Sequence, residues 1–208
     1  MVTRDFIRGR LQASAEAAAR RVRNASGWRL RGDRDFDPDL PEPTKPRRPA
    51  AVLVPIVERG QGLNVLLTQR TEHLSSHAGQ VSFPGGRIEE GDADAIAAAL
   101  RETEEEIGLA PERVETVGRL DDYETGTGFV VTPIVGFVQA PFALRPDPHE
   151  VAAVFEVPLM FVLDRRNHER RTGFWRGRER TYFAMPYGEH FIWGATAGML
   201  INLCDVLE

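Results

Sequence analysis

Hydrophobic positions in this chain recur at two spacings, and the switch between them lays out its elements. Short apolar runs bounded by turn residues predict strands over 52–57, 63–68, 114–123, 130–138 and 152–157, and a hairpin over 172–175 and 182–186. Helical spacing predicts helices over 4–23, 94–107 and 193–207, with a short one over 160–163. The first helix has Phe6, Ile7 and Leu11 on one side. In the second, Ile96, Leu100, Thr103 and Ile107 share a stripe expected to face the core, with Asp92 or Asp94 as N-cap and Gly108 placed to end it. The stretch 33–49 holds five prolines and many charges, and reads as an extended linker strapped over the surface or as disorder. Mixed strands flanked by helices predict an α/β (α+β) fold, a sandwich of helices around a mixed sheet; no internal repeat is visible.

Composition bounds the function. At 208 residues, 42% apolar and 27% charged, the chain can bury one sizeable core, so 1–48 is read as an N-terminal helix and proline-rich linker and 49–208 as one domain. Its 31 acids against 26 Lys plus Arg give a net charge of -5, which argues against a protein that coats nucleic acid. A small anionic substrate would instead need metal and local arginines. Cys204 is the only cysteine, which excludes an internal disulfide framework and fits a reducing compartment. Around it Leu200, Ile201, Leu203 and Leu207 give the last helix a broad apolar face, read as core or as the surface of a homodimer. No run approaches the ~18 apolar residues that a spanning helix needs. The segment 1–10 also lacks the apolar stretch of a secretion signal, so no membrane association is expected and the cytoplasm is the expected compartment.

The candidate chemistry lies on the second helix, just after the glycine turn Gly85-Gly86-Arg87. Glu102, Glu105 and Glu106 fall within roughly a 100° arc of one helical face. Like charges at that spacing repel, and Arg101 relieves part of the repulsion by pairing with Glu104 or Glu105. A hard divalent cation would turn the repulsion into attraction. Clustered oxygen ligands suit Mg²⁺ or Mn²⁺, with the substrate's own phosphate oxygens completing the shell.

These residues carry a resemblance. The segment from Gly86 to Leu109 resembles the signature of the Nudix hydrolases: Arg101, Glu102, Glu105, Glu106, Gly108 and Leu109 all match. It departs in having Asp92 where a glutamate is usual, a spacer to Arg101 one residue longer, and Thr103 at an aliphatic position. Upstream, Leu66-Leu67-Thr68-Gln69-Arg70-Thr71, then Leu74, then His77-Ala78-Gly79-Gln80-Val81-Ser82-Phe83-Pro84-Gly85-Gly86 looks like the additional motif of the coenzyme A pyrophosphatase branch, in which the longer spacer is also common. The phrase Ile192-Trp193-Gly194-Ala195-Thr196-Ala197-Gly198 is similar to that branch too. The resemblance runs from about Pro49 onward and has no counterpart in the first stretch.

The resemblance implies hydrolysis of the diphosphate of coenzyme A or an acyl-CoA to 3',5'-ADP and (acyl)phosphopantetheine, on a Nudix fold spanning 49–208. It implies metal ligation of Mg²⁺ or Mn²⁺ by Glu102 and Glu106, with Glu105 and the Gly86 carbonyl, and an Arg101 that fixes the glutamates. The general base comes from the box or from a later loop. Glu150, in the turn Asp147-Pro148-His149-Glu150-Val151, is the candidate downstream ligand or base. For substrate contacts the candidates are Arg70, Arg87 and Arg119 on phosphate, His77, and Gln80, Ser82 and Phe83 on the approach to the box. His73 and His77 lack the partners of a zinc site. The loop Glu124-Thr125-Gly126-Thr127-Gly128 reads as a hairpin turn. A nucleotide substrate requires an aromatic platform, which the sequence does not locate.

Three readings stand at this stage: a coenzyme A pyrophosphatase, a Nudix hydrolase of another derivative such as ADP-ribose, NADH or a nucleoside triphosphate, and a non-catalytic binding module. The upstream motif favours the first. The third predicts loss of a box glutamate, and Glu102, Glu105 and Glu106 are all present.

Overall fold

The computed structural model describes residues 2–21, 28–41, 46–73, 77–175 and 177–208. Among these, the chain runs through α1 (Arg4–Arg21), β1 (Leu30–Gly32), β2 (Arg48–Arg59), β3 (Gly62–Arg70), β4 (Val81–Ser82) and β5 (Gly85–Arg87). Then follow α2 (Ala95–Ile107), β6 (Val114–Arg119), β7 (Asp122–Glu124), β8 (Phe129–Val138), β9 (Val151–Pro158) and α3 (Leu159–Leu163). Last come β10 (Glu169–Trp175), β11 (Arg178–Tyr187), β12 (His190–Trp193) and α4 (Gly194–Leu207). Leu74, part of the motif upstream of the box, and residues 22–23, the expected end of the first helix, lie outside the described residues.

The fold is built around β2, which pairs in parallel with β8 and antiparallel with β3 and β5. Its run from Ala50 to Val57 has no polar position because both faces are covered. Ala50, Val54 and Ile56 enter a core shared with α1 and α4, whereas Ala51, Leu53 and Val57 enter a second core under α2. One mixed sheet of nine strands therefore lies between helices, as expected for the sandwich, and β10, β11 and β12 form a separate antiparallel sheet.

Four expectations are corrected. Of the expected stripe, Thr103 and Ile107 are buried, but Ile96 is 39% exposed and Leu100 only partly buried, and α2 turns Ala98, Ala99 and Glu106 inward with them. Alanines let the helix approach the sheet closely, and the buried Thr103 hydroxyl is satisfied by donating to the Ala99 carbonyl at 2.6 Å. The predicted strand 114–123 is two strands, because both pair with β8 across Pro133, which accepts from Leu120 N–H at 2.9 Å but has no N–H to return. Of the two readings of 33–49, disorder is corrected for its described residues: Asp33–Asp35 forms a 3₁₀ turn, Phe36 meets Phe183 edge-on at 4.7 Å, and Arg48 and Pro49 already belong to β2. Residues 42–45 of that stretch are outside the description. In α1, Ile7 and Leu11 are buried against the body but Phe6 is exposed.

The apolar face of α4 is consumed within the chain, since Leu200, Leu203 and Cys204 belong to the main core, so it offers no support for a homodimer. Among the described residues, no helix is long and apolar enough to cross a membrane.

Candidate active site

The site is assembled where α2 runs back over the turn of β5. Asp94 caps the helix by accepting from Ala97 N–H at 2.9 Å, which settles the choice between the two aspartates. Gly108 ends it in the left-handed region at φ 69°, its N–H donating to the Glu104 carbonyl. Asp92, released from capping, accepts from Glu89 N–H at 2.8 Å and receives Arg101 through Nε at 2.9 Å and Nη2 at 3.0 Å. This paired grip holds the Asp92 carboxyl down at about 2, first through Arg101 and then through the Glu89 amide.

Arg101 also donates from Nη1 to Glu102 and Glu105, each at 3.0 Å, and not to Glu104. Glu102 is thereby steered against Gly86, where a Cβ would collide with its carboxylate. Burial raises the Glu102 pKa, against the pull of Arg101. Glu105 leans outward and is 61% exposed, so the three box glutamates do not converge as the helical wheel implies.

Glu106 has the opposite surroundings. Its side chain is 5% exposed, one oxygen accepts from Gly85 N–H at 3.2 Å, and the other lies 3.5 Å from Arg70 Nη1. Burial pushes the Glu106 carboxyl up to about 7; nearby Glu150 and Glu102 add to this, while Arg70 and the Gly85 amide oppose it. Arg70 extends its other nitrogen towards Glu150, at 3.9 Å. Glu150 arrives from a distant loop because Thr71 N–H donates to its carbonyl at 3.0 Å. Among the described residues, no three His, Cys, Asp or Glu side chains converge as a ready-made metal cluster.

A cavity of about 810 Å³ opens beside this arrangement. Arg70, His77, Gln80, Ser82, Phe83 and Gly85 line it, so the second half of the upstream motif supplies much of one wall. His77 Nδ1 and Gln80 Oε1 are 2.8 Å apart, and His77 has φ 59°, a turn conformation seldom adopted by a side-chain-bearing residue. Phe83 is both wall and core, at 2% exposed. Two arginine candidates fall elsewhere. Arg119 pairs with Asp122 and stacks 4.8 Å from the Trp28 ring centre, and Arg87 is placed over Phe129 at 5.8 Å, outside the cavity lining. His73 meets Thr71 Oγ1 at 3.5 Å.

Sequence reasoning missed the far wall of this cavity. Asp33, Thr125, Gly126 and Thr127 line it, and so do Tyr182, Phe191 and Trp193 from the small sheet. Asp33 ties two of these parts together, accepting from the Tyr123 hydroxyl at 2.8 Å and from Gly126 N–H at 2.7 Å. The phrase from Ile192 to Gly198 was the available signal. Its Thr196 hydroxyl donates to the Val81 carbonyl at 3.0 Å, and a Cβ at Gly198 would collide with the Tyr123 ring.

The Nudix domain family model matches residues 46–175. An uncharacterized Nudix hydrolase, NudL, of Escherichia coli strain K12 is 44% identical over 166 residues, covering 80% of this chain and 86% of that protein. The NudL of Shigella boydii serotype 18 is 43% identical with the same coverage. Among solved structures, a MutT/nudix family protein from Enterococcus faecalis aligns over 98% of this chain and 73% of its own, with a TM-score of 0.51 and 18% identity, a likeness of fold.

Proposed function

Because this chain belongs to the Nudix family and is a Nudix hydrolase, we propose that it cleaves the diphosphate of coenzyme A or an acyl-CoA, releasing 3',5'-ADP and (acyl)phosphopantetheine. The observation that carries the reading is the common wall formed by Arg70, His77, Gln80 and Phe83 of the upstream motif, which runs into Gly85 at the box. Residues that mark the branch in sequence thus line the space a substrate would enter.

Nudix hydrolases generally use divalent metal, and the donor set here fits one. It consists of oxygens alone, which suits Mg²⁺ or Mn²⁺. Glu106 is a buried carboxylate that its own surroundings disfavour as an anion, and Gly86 leaves open backbone beside Glu102. Glu102, Glu106 and the Gly86 carbonyl would hold the ion, with Glu105 turning in from solvent. Bound there, the ion would neutralise diphosphate charge and lower the pKa of a coordinated water.

The protein's own groups do the rest. Arg101, anchored by Asp92, keeps Glu102 against the glycine turn. Arg70 pairs weakly with two carboxylates, so its guanidinium is available to donate to diphosphate oxygens once the glutamates find another counter-charge. Glu150 or a box glutamate takes the proton of the attacking water.

Products formed from coenzyme A, acetyl-CoA, ADP-ribose and NADH, each with Mg²⁺, Mn²⁺ or a chelator, test this. Release of 3',5'-ADP from coenzyme A that stops on chelation is the expected result. Activity confined to ADP-ribose or NADH overturns the substrate assignment and keeps the reaction type, and silence on all four returns the binding-module reading.

A further inference from the structure

The aromatic part of the cavity's far wall comes from β11 and β12, which follow the last residue matched by the family model. Side chains on a strand alternate, so Tyr182 and Ala184 share a face, and Trp193 is directly across from Ala184 in the ladder. The Tyr182 and Trp193 rings meet edge-on, 5.3 Å apart and 64° between planes, and both are only partly buried. Beside them Gly173, on β10, borders the Tyr182 ring: a Cβ there would approach the ring edge to 3.3 Å. Phe174, 81% exposed, stands at the mouth.

We propose that Tyr182 and Trp193 form the stacking wall for the planar base of the nucleotide whose diphosphate lies at the box. The inference rests on the reading that the box takes a nucleoside diphosphate linkage, and it names the part of the site that grips the nucleoside end. Partly exposed aromatic rings on a cavity wall suit a π-system, because stacking on a ring favours every base and adds to simple burial. The hydroxyls of Thr125 and Thr127, 3.0 Å apart on the same cavity lining, add polar partners for ring nitrogens. At about 810 Å³ the cavity holds a ligand of nucleotide size in one continuous space, within the usual range of ~300–1,000 Å³ for small-molecule sites. A wall placed after the shared family region also lets this chain choose its nucleoside end independently of the box.

The test titrates the full-length protein with AMP and, separately, with 4'-phosphopantetheine, the two fragments representing opposite ends of the proposed substrate. AMP is common to coenzyme A, ADP-ribose and NADH, so the result does not depend on which of them is hydrolysed. The wall predicts that Tyr182→Leu weakens AMP binding about tenfold or more, the loss expected when a base loses an aromatic partner. Tyr182→Phe should bind AMP as the wild type does, and Gly173→Val, which crowds the ring from its edge without removing it, should weaken AMP as Tyr182→Leu does. Affinity for 4'-phosphopantetheine should stay unchanged in all three. No AMP binding by the wild type, or unchanged AMP affinity in folded Tyr182→Leu and Gly173→Val, overturns the proposal; so does selective loss of 4'-phosphopantetheine, which would seat the arm on this wall. If coenzyme A proves not to be hydrolysed while AMP affinity still falls as stated, the substrate assignment fails and the base wall stands.

Discussion

Asp92 and Glu106 each face an arginine beside the same helix, yet the first is held down at about 2 and the second is pushed up to about 7. Arg101 donates twice to Asp92, and the Glu89 amide donates a third time. Glu106 has one arginine contact at 3.5 Å and one amide at 3.2 Å, with Glu150 and Glu102 adding negative charge nearby. An arginine in the neighbourhood therefore does not fix the charge of a carboxylate. Donor geometry against burial does. The tightly paired carboxylate braces the helix, and the poorly paired one is left in need of a cation.

The strongest way to break this contrast is Glu106→Gln. Hydrolysis should fall more than ~100-fold, beyond the loss typical of a residue that only supports a metal ligand; near wild-type turnover at saturating Mg²⁺ would remove Glu106 from the site. The same variant should stabilise the metal-free fold. Glu106 has a folded pKa raised above its ordinary 4.5, so its favourable contribution is complete below about that pH and is lost as pH rises through about 7. In chelator, wild-type stability should decline across that window by on the order of 3 kcal/mol at most, at ~1.4 kcal/mol per pKa unit. Denaturant melts of Glu106→Gln should lack the decline.

A smaller effect is expected at the other carboxylate. Asp92→Asn removes the charge that anchors Arg101, and turnover should drop about 10- to 100-fold with secondary structure unchanged by circular dichroism. Its pH signature has the opposite sign: Asp92 stabilises above its ordinary 3.8 and ceases to as pH falls towards about 2, so the variant should lose part of the acid-side slope. Unchanged kinetics would mean that Glu102 and Glu105 alone hold Arg101. The mildest test is Glu150→Gln, which removes one of the charges that raise Glu106. The midpoint of the metal-free stability decline should move to lower pH, and an unmoved or higher midpoint would show that Glu150 does not act on Glu106.

Much of this was legible in the chain. The apolar run of β2, the capped helix α2 and the carboxylates on it follow from spacing alone, because burial on two faces and helical periodicity leave direct marks. Spacing placed Thr103 and Ile107 inward correctly but concealed how far the buried face of α2 is turned from Ile96 and Leu100. Ile96 looked like core, but Ala98 and Ala99 form the close contact, and that rotation carries Glu106 into the interior and Glu105 out to solvent. The wall made by Tyr182 and Trp193 was illegible for another reason. Its residues are far in sequence from the box and are brought beside it by the docking of the small sheet and α4, as where Thr196 meets Val81. Arg119 illustrates the reverse failure, a plausible phosphate contact by residue type that the strand places beside Trp28.

The hydrogen bond from Arg10 Nε to the Val206 carbonyl, at 2.8 Å, joins the first helix to the last across 196 positions. Ile7 and Leu11 enter the same core as Leu203 and Leu207. During synthesis at ~5–20 residues per second, the first helix can dock on β6, where Arg4 and Arg8 meet Glu115, well before α4 has left the ribosome. Until α4 arrives, the part of that core formed with Leu203 and Leu207 stays open to solvent, so the yield of native protein should respond to chaperone supply more than its final stability would suggest.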